Sequence, residues 1–329
     1  MSLVSRRTFA MGLAVSALAP LREASAQTAT AYPEKPIKLV VPFPPGGASD
    51  FAARVLAQKM SEGLGQPIII DSRPGAGTTI ANDVVAKAAP DGYTLLQVNR
   101  DMTISPSTYA TLPYDTLKGF TWIGNAGFGP FVLVANPQIP AKTLAEFAAM
   151  AKPKPGSVAY GALAIGGMAH LNIEAMTRHL GIELLQVPYK GAGPAINAVV
   201  AGEIPVTLAA LTGALPFIRE GRLRALAVGS KTRAPTLPDV PTVAEAGGGE
   251  DTVLPTYFGL AAPAGTPQPI VDKLGAELAR VMALPDVVKK LEDNGLVPAY
   301  SGASSFAKLV AADVEHFAKL VKAIGLQPQ

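Results

Sequence analysis

Ile37-Lys38-Leu39-Val40-Val41-Pro42-Phe43-Pro44-Pro45-Gly46-Gly47-Ala48-Ser49-Asp50-Phe51 sets a strand, a turn and a helix start side by side. The run ending at Val41 is apolar and β-branched, as a buried strand requires. The Pro and Gly residues then end it: proline lacks an amide hydrogen for a sheet, and glycine turns tightly. From Phe51 onward, Val55, Leu56, Met60 and Leu64 recur near 3.6-residue spacing, which predicts a helix over Phe51–Leu64.

The same alternation continues outward. Pro67–Asp71 and Tyr93–Asn99 read as strands with a helix over Ile80–Ala89 between them. Such a βαβαβ order implies a parallel sheet with crossover helices. A second series begins near Phe131, with strands at Phe131–Ala135, Val158–Gly161, Leu184–Pro188, Val206–Leu211 and Arg222–Gly229. Its helices are Thr143–Ala151, Met168–Leu180 and Pro194–Ala201. After a Pro- and Gly-rich stretch and a strand at Tyr257–Ala261, the tail reads as helices over Pro267–Met282, Pro285–Asn294 and Ser304–Ile324. That tail has too few strands to stand alone, so it is expected to pack back on the first sheet. The fold class is therefore α/β with two lobes: residues 27–130 plus 253–329 form a discontinuous first lobe and 131–252 the second. A chain of 329 residues exceeds what one core usually fills. Two such lobes leave a cleft at the carboxyl ends of their strands, where α/β sheets bind ligands, with a hinge to close it.

Three glycine-bearing turns face that cleft. In the first, Gly46 and Gly47 let the backbone approach a ligand, with Pro45 before them. Ser49 or Asp50 caps the following helix, and free amides at Ala48 and beyond point at an anion. A second, Gly161-Ala162-Leu163-Ala164-Ile165-Gly166-Gly167, runs into Met168-Ala169-His170 and sets another positive helix end across the cleft. The third, Arg73-Pro74-Gly75-Ala76-Gly77-Thr78-Thr79, lacks the third glycine of a dinucleotide fingerprint. Candidate ligand contacts from these turns are Pro45 to Asp50, Gly77, Thr78, Ala162, Ala164, Gly166, Gly167 and His170. Arg100 joins them at a strand's carboxyl end, although a solvated pair with Asp101 is the plainer reading of it.

What is missing narrows the function. No cysteine is present, which excludes thiol catalysis, disulfides and thiolate metal sites. His170, His179 and His316 show no metal-ligand spacing, and there is no G-x-S-x-G elbow. Catalysis, a cofactor and a bound metal are accordingly not expected. No basic run suggests nucleic acid. At the N-terminus, Ser5-Arg6-Arg7-Thr8-Phe9 precedes an apolar run and the Ala24-Ser25-Ala26 cleavage pattern. Residues 1–26 thus read as a signal peptide of the twin-arginine kind, with Gln27 as the new terminus. Without a cysteine there, no lipid anchor is expected. That leader holds three Arg and one Glu, so the formal charge of +3 falls to about +1 in the mature chain.

Taken together these segments resemble the Bug-type periplasmic solute-binding proteins of tripartite tricarboxylate transporters. The resemblance rests on Val41-Pro42-Phe43-Pro44-Pro45-Gly46-Gly47 through Asp50 and Arg54, and on Arg73-Pro74-Gly75-Ala76-Gly77. It continues through Ala89-Pro90-Asp91-Gly92-Tyr93, Leu112-Pro113-Tyr114-Asp115, Val187-Pro188-Tyr189-Lys190-Gly191 and Pro263-Ala264-Gly265-Thr266-Pro267. It implies a Venus-flytrap fold, no catalysis, and a small carboxylate held between the lobes and delivered to membrane permease subunits. It places Gly46, Gly47, Ala48 and Asp50 on the first wall with Gly77 and Thr78 nearby. On the second it places Gly166, Gly167 and the Tyr189-Lys190-Gly191 turn. Ala162, Gly167 and Pro205 depart from the hydroxyl and carboxylate residues usual there, which suggests a ligand with one carboxylate and a less polar or aromatic remainder. A monomer is expected. The alternative role is a sensor that presents its ligand to a membrane histidine kinase.

Overall fold

The computed structural model describes residues 32–162, 166–189 and 191–328. The signal-peptide reading, together with Ala164 and Lys190, lies outside them.

The first series folds as β1 (Ile37–Val41), α1 (Ala48–Leu64), β2 (Ile68–Ser72), α2 (Thr79–Ala86), β3 (Thr94–Val98) and α3 (Asp101–Thr108). Strand β4 (Phe120–Gly129) and, across Pro130, β5 (Phe131–Ala135) lead into the second series. That series comprises α4 (Leu144–Ala151), β6 (Ala159–Ala162), α5 (Met168–Leu180), β7 (Leu185–Pro188), α6 (Ala192–Ala201), β8 (Val206–Ala210), α7 (Leu211–Arg219) and β9 (Arg224–Gly229). The tail is β10 (Thr256–Pro263), α8 (Gln268–Met282), α9 (Pro285–Asp293), β11 (Val297–Gly302) and α10 (Ala303–Ile324).

The strands make two sheets, one ordered β11-β4-β10-β3-β1-β2 and the other β7-β6-β8-β5-β9. Strands β1, β2 and β3 pair in parallel, as their helical crossovers demand. The returning tail strand β10 runs antiparallel to both β3 and β4, so the first sheet is mixed rather than purely parallel. The second is mixed as well, with β5 antiparallel to β8 and β9.

Local sequence explains the well-formed ends. Thr143 caps α4 by accepting from Glu146 N at 3.1 Å, and the Glu146 carboxylate reaches one residue past the cap to accept from Lys142 N at 2.6 Å. Asp91 accepts from Tyr93 N at 3.0 Å and turns the chain into β3.

The tail helix differs from expectation. The first half of α10 packs on the first sheet through Phe306 and Val310, with Phe306 edge-on to Trp122 and Tyr257. Only glycine at 259 permits this: a Cβ there would lie 2.1 Å from the Phe306 ring. The second half puts Phe317 and Val321 into the core of the second sheet, beside Leu133, Met176 and Leu208. Helix α10 therefore belongs to both cores.

Candidate functional site

A cavity of about 390 Å³ lies between the two sheets. One wall is the start of the first turn, Pro42, Phe43 and Pro44, with Pro74, Gly75, Gly77 and Thr78 of the third beside it. Its floor is one face of α3, namely Asp101, Ile104, Ser105 and Thr108 with Tyr109 following. Gly166 and Gly167 close it from the second lobe.

The two Gly-Gly turns are built alike. Gly46 and Gly166 take positive φ (+92° and +77°), while Gly47 and Gly167 are extended helix caps with no side-chain oxygen. The requirement for glycine thus falls on the first of each pair, since an L-residue pays about 1–2 kcal/mol in the left-handed region. Asp50 turns inward rather than toward the cavity. Its Oδ2 accepts from Gly46 N at 3.0 Å and from Arg54 Nε at 2.9 Å, and these contacts hold its carboxyl below the usual range. It is a brace for the turn.

The third turn is strained. Ala76, Gly77 and Thr78 all have positive φ (45°, 55° and 79°), a conformation β-branched Thr78 rarely adopts. Such strain costs about 1–3 kcal/mol and persists where surroundings enforce it. Here Asn82 Nδ2 donates to Thr78 Oγ1 at 3.1 Å and to Tyr114 Oη at 2.9 Å. Having accepted from Asn82, the buried Thr78 hydroxyl has its own proton to donate. Ser105 Oγ donates toward the Gly77 and Asp101 carbonyls at 3.3 and 3.2 Å.

Asp101 crosses the cleft. Its Oδ1 accepts from Met168 N, the first amide of α5, at 3.1 Å. Burial raises its pKa above the ordinary value, an effect the Met168 hydrogen bond opposes. His170, in the first turn of α5, accepts from Gly166 N through Nδ1 at 3.2 Å and is held below its usual pKa by burial.

Of the residues picked out in the sequence, the structure gathers Gly77, Thr78, Gly166 and Gly167 on the cavity wall. Pro45 to Asp50 are not among the lining residues, and Pro45, Gly46 and Gly47 are exposed to solvent; Ala162, Tyr189 and Gly191 are not in the lining either. His170 acts one step back, on Gly166. Arg100 is neither solvated nor in the lining. It is 4% exposed, and its Nε donates to Asp313 at 2.8 Å. It also donates to the Pro255 carbonyl and stands over the Tyr257 ring. Through Nε on Asp313 and Nη1 on the Pro255 carbonyl it joins the end of β3 to α10. Asp101, read from the sequence as its neighbour in a solvated pair, is the residue that meets the cavity. The face of α3 gave no sequence signal, because Pro106 and the polar Thr103, Ser105, Ser107 and Thr108 hide the helix.

A cleft between two α/β lobes, walled by turns that present backbone and hydroxyl groups, defines a small-molecule receptor. Comparison with known proteins agrees. The profile of the tripartite tricarboxylate transporter family receptor matches residues 52–326, so the chain belongs to that family, which comprises periplasmic solute receptors, not enzymes. It is similar to the periplasmic binding protein BugD, with 33% identity and a TM-score of 0.81 over 91% of this chain and all of that one. It is also similar to Rpa4515 of R. palustris, solved with adipate (31%, TM-score 0.83, 91% of this chain and 100% of that). MatC of Rhodopseudomonas palustris, solved with bound malate, is 33% identical with a TM-score of 0.77, over 88% of this chain and all of that one.

Proposed function

We propose that the chain captures a small organic carboxylate between its lobes and delivers it to the membrane subunits of a tripartite transporter. The observation that carries this reading is the make-up of the cavity wall. It offers hydroxyls from Thr78, Ser105 and Thr108 and apolar surface from Phe43, Ile104 and Tyr109, and among the described residues it includes no Lys or Arg. An anion here is held by hydroxyls and turn amides, which suits a carboxylate joined to a less polar body. The adipate and malate of the two similar proteins are carboxylates. In this reading the protein is exported folded by the twin-arginine route, starts near Gln27, works as a monomer and closes its lobes on the ligand.

Calorimetry and thermal melts of the mature protein test it, with aliphatic diacids, amino acids, aromatic acids and neutral amides of matched length. At least one acid should bind one-to-one and stabilise by about 2.7 kcal/mol at 100 times its Kd. Scattering should show compaction on binding. The reading fails when neutral amides bind as tightly as the acids, or when no acid raises the melting temperature.

A further inference from the structure

Asp101 is an odd side chain for an anion receptor. It lines the cavity, yet it is itself an anion when ionised. Its Oδ1 also takes Met168 N, an amide that a docking carboxylate would otherwise use. The cap of α5 is Gly167, which brings no oxygen of its own, so the helix end is served by a carboxylate from the opposite lobe. Donors for a ligand's carboxylate are left on the other wall. There Thr78, whose hydroxyl accepts from Asn82 Nδ2 at 3.1 Å and keeps its own proton to donate, lines the cavity beside Gly77. Ser105, one turn along α3 from Asp101, ties the two ends together through its contacts to the Gly77 and Asp101 carbonyls.

We propose that Asp101 determines charge specificity: the ligand docks one carboxylate at Thr78 and presents an uncharged or cationic hydrogen-bond donor, not a second carboxylate, to Asp101. This rests on the carboxylate reading above and narrows it. A like charge placed against a wrong ligand is a common way for a site to discriminate, since repulsion rejects what attraction alone would accept.

Two probe series of constant length separate the possibilities: succinate, succinamate and 4-aminobutanoate, then adipate, adipamate and 6-aminohexanoate. Each is titrated calorimetrically into the wild-type mature chain, Asp101→Asn and Asp101→Thr. Asparagine keeps an oxygen to accept from Met168 N, and threonine guards against a folding defect in the first variant. Wild type should prefer the amide or amine over the diacid by at least about tenfold in one series, the discrimination of a 1.4 kcal/mol difference. Both variants should bring that preference below about threefold by tightening diacid binding. A wild-type protein that binds the diacid as well as its partners, or a preference unchanged in both variants, overturns the proposal while leaving a carboxylate receptor intact. Binding of neutral succinamide or adipamide as tight as that of the acids overturns the carboxylate reading itself, and the proposal with it. Failure of all six probes with every protein overturns the proposal, and the carboxylate reading is then decided by the aromatic and amino acids of the wider panel.

Discussion

Replacing Asp313 by alanine strands Arg100. The two side chains are 8% and 5% exposed, and Arg100 Nε lies 2.8 Å from Asp313 Oδ2, so truncation leaves a guanidinium buried without its carboxylate. Removing one partner of such a pair costs about 3–5 kcal/mol, because the remaining charge has already lost its water. The Pro255 carbonyl and the Tyr257 ring, 5.1 Å from the guanidinium centre, stay in place but neutralise nothing. Burial pushes the Asp313 carboxyl up, against the pull of Arg100 beside it. The double variant Arg100→Met/Asp313→Leu removes both buried charges and should be far less damaging than Asp313→Ala, within about 1.5 kcal/mol of wild type. Urea unfolding of all three proteins at pH 7.5 reads this, with the slope required to remain constant. A loss below about 1 kcal/mol for Asp313→Ala, or a double variant no more stable than the single one, refutes the reasoning.

Two further outcomes concern the cavity wall and the residue behind it. His170 is held below its free value of 6.5 by burial, and protonation would end its acceptance from Gly166 N. The unfolded chain then takes the proton first, so stability should fall as pH drops below about 6.5 and level off once the folded form titrates. His170→Gln should flatten the melting-temperature curve between pH 7.5 and 5.5, and equal slopes in both proteins would rule the linkage out. Thr78→Gly should leave the melting temperature unchanged or higher, because glycine accepts φ +79° without strain. The same change should weaken carboxylate binding about 10- to 100-fold, the worth of one hydrogen bond to a charged group. Undiminished affinity would remove Thr78 from the site.

The sequence made the helix–strand alternation plain wherever apolar spacing was regular, and α5 begins and ends where its spacing ends it, at Met168 and Leu180. It failed where packing outweighs pattern. Strand β4 was hidden by Gly124, Gly127 and Gly129, residues poor in strands but needed here. A Cβ on Gly127 would come within 2.5 Å of the Val297 carbonyl on β11. Helix α7, with Gly213 and Pro216 inside it, and the short β11 escaped for similar reasons. At the site, the glycine turns were legible because glycine takes positive φ without strain, as at Gly46 and Gly166. The α3 face was not, since the third dimension alone brings Asp101 to Met168 across 67 residues of chain. Arg100 misled because adjacency in sequence says nothing about which neighbour turns inward.

Helix α10 has a consequence for anyone who wants to read out occupancy. At 1.5 Å per residue its 22 residues make a rod about 33 Å long, anchored in one core by Phe306 and in the other by Phe317. In the proposed opening of the lobes, a stiff rod with a foot in each body acts as a dial needle: one foot must slide, and the far end swings most. A dye at Lys322, exposed beside buried Val321, sits near the tip of that needle, on a residue that does not itself line the cavity. Trimming Phe317 would lighten the needle's grip and let the trap rest ajar. The affinity for every ligand would then drop by one common factor, the lost fraction of shut molecules, with the order of preference among ligands untouched.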